Sequence, residues 1–188
     1  MYDGILGYPG VRHVRTFSRQ ELAQLLTGAG FAGQQWYYPY PDYKFPMELH
    51  TDRRLPTAEE LRGSINEAYD CERLEIFPEK EAFASILPAG LYPECANSFL
   101  VVCGRESWDT EQLPIYVHYA WYRPAPYRIG TAIYERAGKR SVEKFTRSDA
   151  ARPHLRAIEE NGRILGKLYG REHVAASHLV TPDVLACE

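Results

Sequence analysis

Apolar residues recur at helical spacing after residue 18. Ser18 with Glu21 three residues later is a capping box, the side-chain pattern that begins many helices. The pattern predicts a helix over Arg19 to about Ala29. Gly30 follows at the position where many helices end with a glycine in the left-handed conformation. The apolar stripe expected to be buried is Leu22, Leu25, Leu26 and Ala29.

A strand is predicted over Gln34 to Tyr38, directly after this helix. It leads into residues 36–46, a segment of aromatic residues and prolines that we call the aromatic lip. Each proline fixes its own φ and pushes the preceding residue toward extended backbone. We therefore expect a stiff, non-helical segment at the end of a strand, which is where a Rossmann-like sheet opens into its ligand crevice.

The remainder of the first part predicts two helices and one strand. Thr57 with Glu60 is a second capping box, and it predicts a helix over about 58–69. A shorter helix is expected over about 79–87, and residues 46–56 are expected to form a loop. Asn97 to Cys103 is a continuous apolar run, typical of a buried strand.

The second part has a different pattern, in which strands come first. Residues 115–122, 128–136 and 140–146 predict three antiparallel strands, with a turn at Ala137-Gly138-Lys139. A helix is predicted over Arg152 to Tyr169, followed by one or two short strands in 178–187. The helix residues expected to face the strands are Leu155, Ile158, Leu165 and Leu168.

Charge divides the chain at the same place as the pattern. Residues 1–106 carry 10 Lys and Arg against 15 Asp and Glu, whereas residues 107–188 carry 12 against 10. The polar stretch 104–112 between them is predicted to be a linker, which gives two domains, 1–106 and 107–188. The net charge of −3 argues against nucleic acid as a partner, because tracking phosphates requires a basic excess.

Cysteine and histidine spacing indicates no metal site. The 4 cysteines form no Cys-x-x-Cys pair, and no pair among the 6 histidines has metal-ligand spacing. No apolar run approaches the roughly 20 residues of a membrane span, and the N-terminus does not resemble a secretion signal. We expect a reduced, cytoplasmic protein without a membrane span.

The aromatic lip is the stretch with the most chemistry. Tyrosine rings and hydroxyls suit a sugar or another polar ring, and an Asp and a Lys stand beside them. The alternative is structural, since such aromatics can also cap a core beneath a loop. The residues predicted to bind substrate are Tyr38, Tyr40, Asp42, Tyr43 and Lys44.

Four segments of the first part together resemble a known family. They are residues 16–22, Gly30-Phe31, the lip from Tyr37 to Pro46, and residues 97–102. They are similar to the C-terminal part of class I S-adenosylmethionine-dependent methyltransferases of bacterial surface-polysaccharide gene clusters. The resemblance covers about residues 2–104, and the lip is its most specific piece. It implies that Gln34–Tyr38 is the sixth strand of a Rossmann-like sheet and that Asn97–Cys103 is the antiparallel seventh.

The resemblance also implies that the chain is a fragment. Such enzymes hold S-adenosylmethionine in a Gly-rich strand-to-helix turn and with an acidic residue that ends the second strand. This sequence has neither, since Gly4, Gly7 and Gly10 follow no strand. We expect no cofactor binding by this chain alone, a missing N-terminal Rossmann half in cis or in trans, and a glycan acceptor. An unpaired edge on Gln34–Tyr38 would favour self-association.

Residues 113–188 show a second resemblance, to the N-terminal lobe of kinase-like or aminoglycoside-phosphotransferase-like folds. Val142-Glu143-Lys144 resembles the strand that offers a lysine to nucleotide phosphates, which makes Lys144 and Glu160 candidate nucleotide-binding residues. Two departures are visible: residues 123–127 are not glycine-rich, and Asn161 stands where the helix glutamate is expected. The alternative is a solvated lysine on a strand.

The predicted fold is therefore α/β, the C-terminal edge of a Rossmann-like methyltransferase sheet with a helical insertion, followed by a small α+β unit. Three functions remain open. The first is an incomplete methyltransferase of surface-polysaccharide biosynthesis that is inactive alone. The second is a non-catalytic module that docks a partner through the lip. The third is a nucleotide-binding lobe of a kinase-like phosphotransferase.

Overall fold

The computed structural model describes residues 17–41, 43–44, 46–61 and 79–187. The chain divides into two compact units, unit 1 from Met1 to Trp108 and unit 2 from Asp109 to Glu188. Each unit combines helices with strands that pair antiparallel. The predicted mixture of helices and strands is therefore confirmed.

Unit 1 has a small sheet with the order β3-β1-β2. The apolar run predicted as a strand pairs antiparallel with the strand before the lip, with Trp36 opposite Val101. The strands are β1 (Gly33–Tyr40), β2 (Glu48–His50) and β3 (Leu100–Gly104). The helices are α1 (Arg19–Gly28), α2 (Glu79–Ile86) and α3 (Tyr92–Cys95).

Strand β2 bears on two predictions. The loop expected over 46–56 contains this strand, because the chain reverses after Tyr40 and the Met47 N–H donates to the Tyr40 carbonyl at 2.8 Å. The reversal pairs β2 with Tyr38–Tyr40 of β1, whereas β3 pairs with Gly33–Tyr37 on the other side of β1. Within the expected open edge of Gln34–Tyr38, β2 therefore covers Tyr38, and the self-association expected from that edge stays a prediction.

Helix α1 begins and ends as its sequence predicts. The Glu21 N–H donates to Ser18 Oγ at 3.1 Å, and Gly30 adopts φ +88° just after the last turn. The buried stripe is narrower than expected, because Leu22 and Leu26 pack on the core while Leu25 is 50% exposed. Leu25 lies one position from Leu26, about 100° around the helix.

The second capping box also forms. The Thr57 N–H donates to Glu60 Oε2 at 2.9 Å, and the Glu60 N–H donates to Thr57 Oγ1 at 3.3 Å. Of the helix predicted over about 58–69, residues 58–60 form a turn in the structure, and residues 62–69 lie outside the described residues.

The core of unit 1 is aromatic. Tyr38 meets Tyr92 edge-on with ring centroids 6.0 Å apart, and Trp36 meets Phe99 at 5.7 Å. Edge-to-face pairs of this kind contribute about 0.5–1.5 kcal/mol beyond the area that they bury. The buried members of this cluster are Trp36, Tyr38, Tyr40, Leu61, Phe83, Tyr92 and Ala96.

Unit 2 has a sheet with the order β4-β5-β6-β8-β7. The turn between β5 and β6 contains Ala137 at φ +49° and Gly138 at φ +73°, the pair of positive φ angles that matches the twist of a tight hairpin. The strands are β4 (Tyr116–Tyr119), β5 (Gly130–Arg136), β6 (Lys139–Phe145), β7 (Ser177–Thr181) and β8 (Val184–Cys187). The helix between β6 and β7 is α4 (Arg152–Tyr169).

Helix α4 packs by its first half. Leu155 is fully buried and Ile158 packs against the same cluster, as predicted. Leu165 and Leu168 are 42% and 69% exposed, so their expected burial is wrong. The helix side that continues the Leu155 stripe carries Gly162, where a Cβ would lie 2.7 Å from Ser177 Oγ of β7. Leu168 lies about 140° around the helix from Leu155, on another side of α4.

Candidate functional site

The aromatic lip is anchored to the residues that precede β3. Asn97 Nδ2 donates to the Pro41 carbonyl at 3.2 Å, and the Tyr43 N–H donates to Ser98 Oγ at 3.3 Å. The peptide bond between Tyr40 and Pro41 is cis. The lip is therefore anchored at Pro41 and at Tyr43 by contacts distant in sequence.

The predicted substrate-binding residues divide into two groups. Tyr38 is 0% exposed and Tyr40 is 8% exposed, so both lie in the core of unit 1. Tyr43 is 49% exposed, and Lys44 Nζ lies 5.5 Å from the centre of its ring. Asp42 lies outside the described residues. Among the described lip residues, the surface available to a ligand is thus Tyr43 with Lys44.

Tyr38 is the centre of a polar network beneath the lip. Its hydroxyl donates to Asp52 Oδ1 at 2.6 Å, and Arg19 donates to Asp52 Oδ2 at 2.8 Å. Burial, followed by the bond to Asp52, raises the pKa of the Tyr38 phenol well above its usual value. The Arg19 guanidinium also lies 5.2 Å over the Trp36 ring. The network fastens helix α1 to the sheet.

A second network surrounds His50, which is 0% exposed. Its Nε2 lies 2.9 Å from Glu48 Oε2, and Arg54 lies 3.5 Å from its Nδ1. Because arginine only donates, Nδ1 accepts and Nε2 carries the proton toward Glu48. Arg54 also donates to Glu60 at 2.5 Å. Burial opposes ionisation of Glu60, but the bonds from the Thr57 N–H and Arg54 hold its pKa below the usual value.

Sequence reasoning missed both networks. Asp52, His50 and Arg54 stand in the segment that was expected to be a loop, where nothing in the local pattern gives their partners. The one available signal was Arg19, a charged residue in the first turn of an amphipathic helix. Strand β2 brings these side chains beside β1, and that pairing depends on the reversal of the chain after Tyr40.

The predicted nucleotide residues of unit 2 have different partners. Lys144 is partly buried on β6, and its Nζ donates to Thr131 Oγ1 at 3.3 Å. Glu160 forms a two-point ion pair with Arg163 on the exposed side of α4. The neighbouring Glu159 accepts from the Leu179 N–H at 2.9 Å. The structure thus places Lys144 within the sheet and gives Glu160 a partner on its own helix.

Other cationic groups lie near Lys144. Burial first, and then the charges of Arg123 and Lys144, lower the pKa of His154 in the first turn of α4. Arg123 belongs to residues 120–128, the connection between β4 and β5. Three basic side chains from one loop, one strand and one helix therefore act on the same region of unit 2.

Metal binding and membrane insertion can both be judged from the described residues. Over 17–41, 43–44, 46–61 and 79–187, no group of three or more His, Cys, Asp or Glu side chains could hold a metal ion. In the same ranges, no helix is long and apolar enough to cross a membrane.

Comparisons with known proteins were made by family, by sequence and by structure. No family model, no curated protein and no solved structure matches this chain.

Proposed function

We propose that the chain is a fragment of a methyltransferase-like protein of surface-polysaccharide biosynthesis, in which unit 1 supplies the acceptor side. The observation that carries the proposal is the antiparallel pairing of β1 with β3, together with the lip that follows β1. This pairing agrees with the sixth and seventh strands of the methyltransferases that the sequence resembles. The contacts of Asn97 and Ser98 fix the lip from the second of these strands.

The described residues do not fit S-adenosylmethionine. A Gly-rich cradle requires glycines between a strand and the start of a helix, whereas Gly28 is the last residue of α1 and Gly30 follows its end. A Cβ at Gly33 would lie 2.7 Å from the Glu106 carbonyl and 3.0 Å from the Trp108 ring, so that glycine accommodates this chain's own residues. In this proposal the cofactor belongs to another part of the protein.

The exposed pair Tyr43 and Lys44 is suited to a sugar. The phenol offers a flat face and a hydroxyl, and the exposed ammonium places a positive charge beside it. The anchored lip keeps both groups in place, which lowers the entropy lost on binding. Tyr38 and Tyr40 support the lip from the core, and Asp42 remains a predicted ligand. A partner protein docking on the same surface is the competing hypothesis.

Saturation-transfer NMR with neutral oligosaccharides tests the acceptor side directly. We expect transfer to the sugar from the wild-type chain, and its loss in Tyr43→Ala and in Lys44→Met, with unchanged melting temperatures. The matched controls are Tyr169→Ala and Lys167→Met, which alter an exposed tyrosine and lysine of unit 2. Equal transfer in the lip variants and the controls would contradict the proposal.

Unit 2 supports a second candidate function, a nucleotide-binding lobe. The specific observation is the order of three strands, a helix and two strands, with Lys144 on the third strand and Arg123 and His154 near it. Kinase-like lobes place their phosphate-binding lysine on this strand. The ion pair between Glu160 and Arg163 differs from that arrangement, in which the helix glutamate pairs with the lysine.

Nucleotide titration distinguishes this candidate from the first. If unit 2 holds a nucleotide, ATP should shift amide resonances around Lys144, and Lys144→Met should abolish the shift. Lys139→Met, at the other end of the same strand, is the control. Shifts that survive Lys144→Met would exclude this role for the lysine.

A further inference from the structure

The connection between β4 and β5 in unit 2, residues 120–128, presents aromatic rings to solvent. We call it the aromatic loop. Tyr122 is 72% exposed, Tyr127 is 55% exposed and Trp121 is 38% exposed. These three large rings fall within seven residues. Exposed apolar groups that cluster in this way are typical of binding sites, whereas single exposed apolar residues are common on any protein surface.

The aromatic loop is held in a defined shape. The Arg123 N–H donates to the Ala120 carbonyl at 3.1 Å, and the Tyr127 N–H donates to the Pro124 carbonyl at 2.9 Å. Prolines at 124 and 126 restrict the backbone further. The rings are therefore presented by a preorganised segment, which lowers the conformational entropy lost on binding.

Two arginines lie against these rings. The Arg128 guanidinium is 4.3 Å from the centre of the Trp121 ring, and that of Arg123 is 5.9 Å from the centre of the Tyr122 ring. Arg128 Nε donates to the Arg123 carbonyl at 3.2 Å, which fixes one arginine relative to the other. Each guanidinium carries five N–H donors, so Arg128 can hold the Arg123 carbonyl by Nε and still offer its other N–H groups to an anion.

The surroundings of the loop are positive. Residues 120–128 contain two arginines and no acidic residue. After burial, the positive charges of Arg123 and Lys144 also lower the pKa of His154 at the start of α4. The acidic residue that precedes α4 in sequence is Asp149, and its carboxylate pairs with Arg152 at 2.7 Å. The cationic groups are therefore not neutralised within the loop itself.

We propose that the aromatic loop binds an anionic sugar, a sugar ring that carries a carboxylate or a phosphate. The exposed tyrosine rings supply flat faces for the sugar, and the two arginines supply charged donors for its anionic group. The inference goes beyond the proposed function, since it uses residues of unit 2 and does not require the lip. Nucleic acid is less suited, because the whole chain carries a net charge of −3.

The test is a titration of the ¹⁵N-labelled full chain followed by amide shifts. Trigalacturonate and glucose 6-phosphate supply the carboxylate and the phosphate, maltotriose is the neutral sugar, and an oligothymidylate represents nucleic acid. We expect shifts within 120–128 with at least one of the two acidic sugars and none with maltotriose. Which acidic sugar acts identifies the anionic group.

Variants locate the binding. Tyr122→Ala and Arg123→Ala should each weaken the binding of the acidic sugar on the order of tenfold. The first variant removes an aromatic ring that contacts the sugar, and the second removes a charged hydrogen bond. Tyr169→Ala and Arg171→Ala, at exposed positions at and after the end of α4, should leave the binding of the acidic sugar unchanged. Circular dichroism confirms that each variant is folded.

Three outcomes would overturn the proposal. One is equal shifts within 120–128 with maltotriose, which would remove the role of the arginines. Another is tighter binding of the oligothymidylate, which would make the loop a nucleic-acid surface. The third is the absence of any shift in 120–128 with both acidic sugars. If only the saturation transfer to neutral oligosaccharides at the lip is absent, the proposed function is contradicted and this inference is not.

Discussion

The aromatic lip of unit 1 and the aromatic loop of unit 2 have similar compositions and opposite environments. Both combine tyrosine, tryptophan and proline with a nearby cation. In the lip, Trp36, Tyr38 and Tyr40 lie on strand β1 and are at most 8% exposed. In the loop, Tyr122 and Tyr127 lie between strands and are more than half exposed.

The difference indicates that these aromatic residues are buried where they lie on a strand and exposed where they lie in the connection between strands. Side chains at alternate positions of a strand share one face, so Trp36, Tyr38 and Tyr40 enter the same core. The aromatic loop has no such alternation, and its short helical turn, Ala125–Tyr127, places Tyr127 beyond the sheet. An aromatic, proline-rich composition therefore predicts a stiff segment but does not by itself predict a binding surface.

The largest effect that this comparison predicts is in stability. Tyr38→Ala should lower the free energy of unfolding by about 3–5 kcal/mol, since it empties a buried aromatic position. Tyr122→Ala should change it by less than about 0.5 kcal/mol, because the ring is exposed. Chemical denaturation of both variants checks the contrast. Similar losses in the two variants would show that the loop is part of a core.

A second prediction concerns the sheet beneath the loop. A Cβ at Gly130 would lie 2.2 Å from Phe145 Cζ, too close for any side chain. Gly130→Ala should therefore cost about 1–3 kcal/mol, as overpacking does. Phe145→Leu in the same chain should recover part of the loss. An unchanged midpoint for Gly130→Ala would mean that the ring moves aside without cost.

A smaller effect is expected from the hydroxyl of Tyr38. Tyr38→Phe removes its bond to Asp52 and should cost about 1 kcal/mol, because Arg19 still pairs with that carboxylate. The pKa of Tyr38 is raised, so the folded chain keeps the phenol proton where the unfolded chain loses it. This stabilisation is complete below pH of about 10 and declines as the pH rises further.

Denaturation curves at alkaline pH check the sign of this effect. The wild-type chain should lose stability above pH of about 10 more steeply than Tyr38→Phe does. Parallel curves for the two chains would show that the phenol titrates alike in the folded and unfolded states.

The smallest expected effect is at the start of α1. Ser18→Ala removes the acceptor for the Glu21 N–H and should cost about 0.5–1 kcal/mol, whereas Ser18→Asp restores an acceptor and should be tolerated. Thermal unfolding monitored by circular dichroism measures both. Equal losses would indicate that the helix does not depend on this cap.

Much of the fold could be predicted from local pattern. The capping box at Ser18, the strand before the lip, the hairpin at Ala137-Gly138 and helix α4 all follow from signals within a few residues. Such signals act through backbone conformation and the alternation of buried faces, which are local properties. The other described strands and helices could therefore be placed to within a few residues, but β2 and the one-turn helix α3 were not predicted.

The rest depends on contacts distant in sequence. Strand β2 has three residues and no apolar alternation, and it forms because the chain reverses after Tyr40. The burial of Tyr38 and the exposure of Leu165 depend on what packs against each element, which one-dimensional periodicity does not give. The substrate-binding role of the lip stays a prediction, and the structure narrows its exposed described residues to Tyr43 and Lys44.

Calorimetry with S-adenosylmethionine tests the central proposal, an acceptor side without a cofactor side, most directly. The purified chain should show no saturable heat with the cofactor, because its described glycines form no cradle, and saturation-transfer NMR on the same sample should still detect the sugar at Tyr43. Saturable binding of S-adenosylmethionine at micromolar concentration would contradict the proposal that this chain is a fragment.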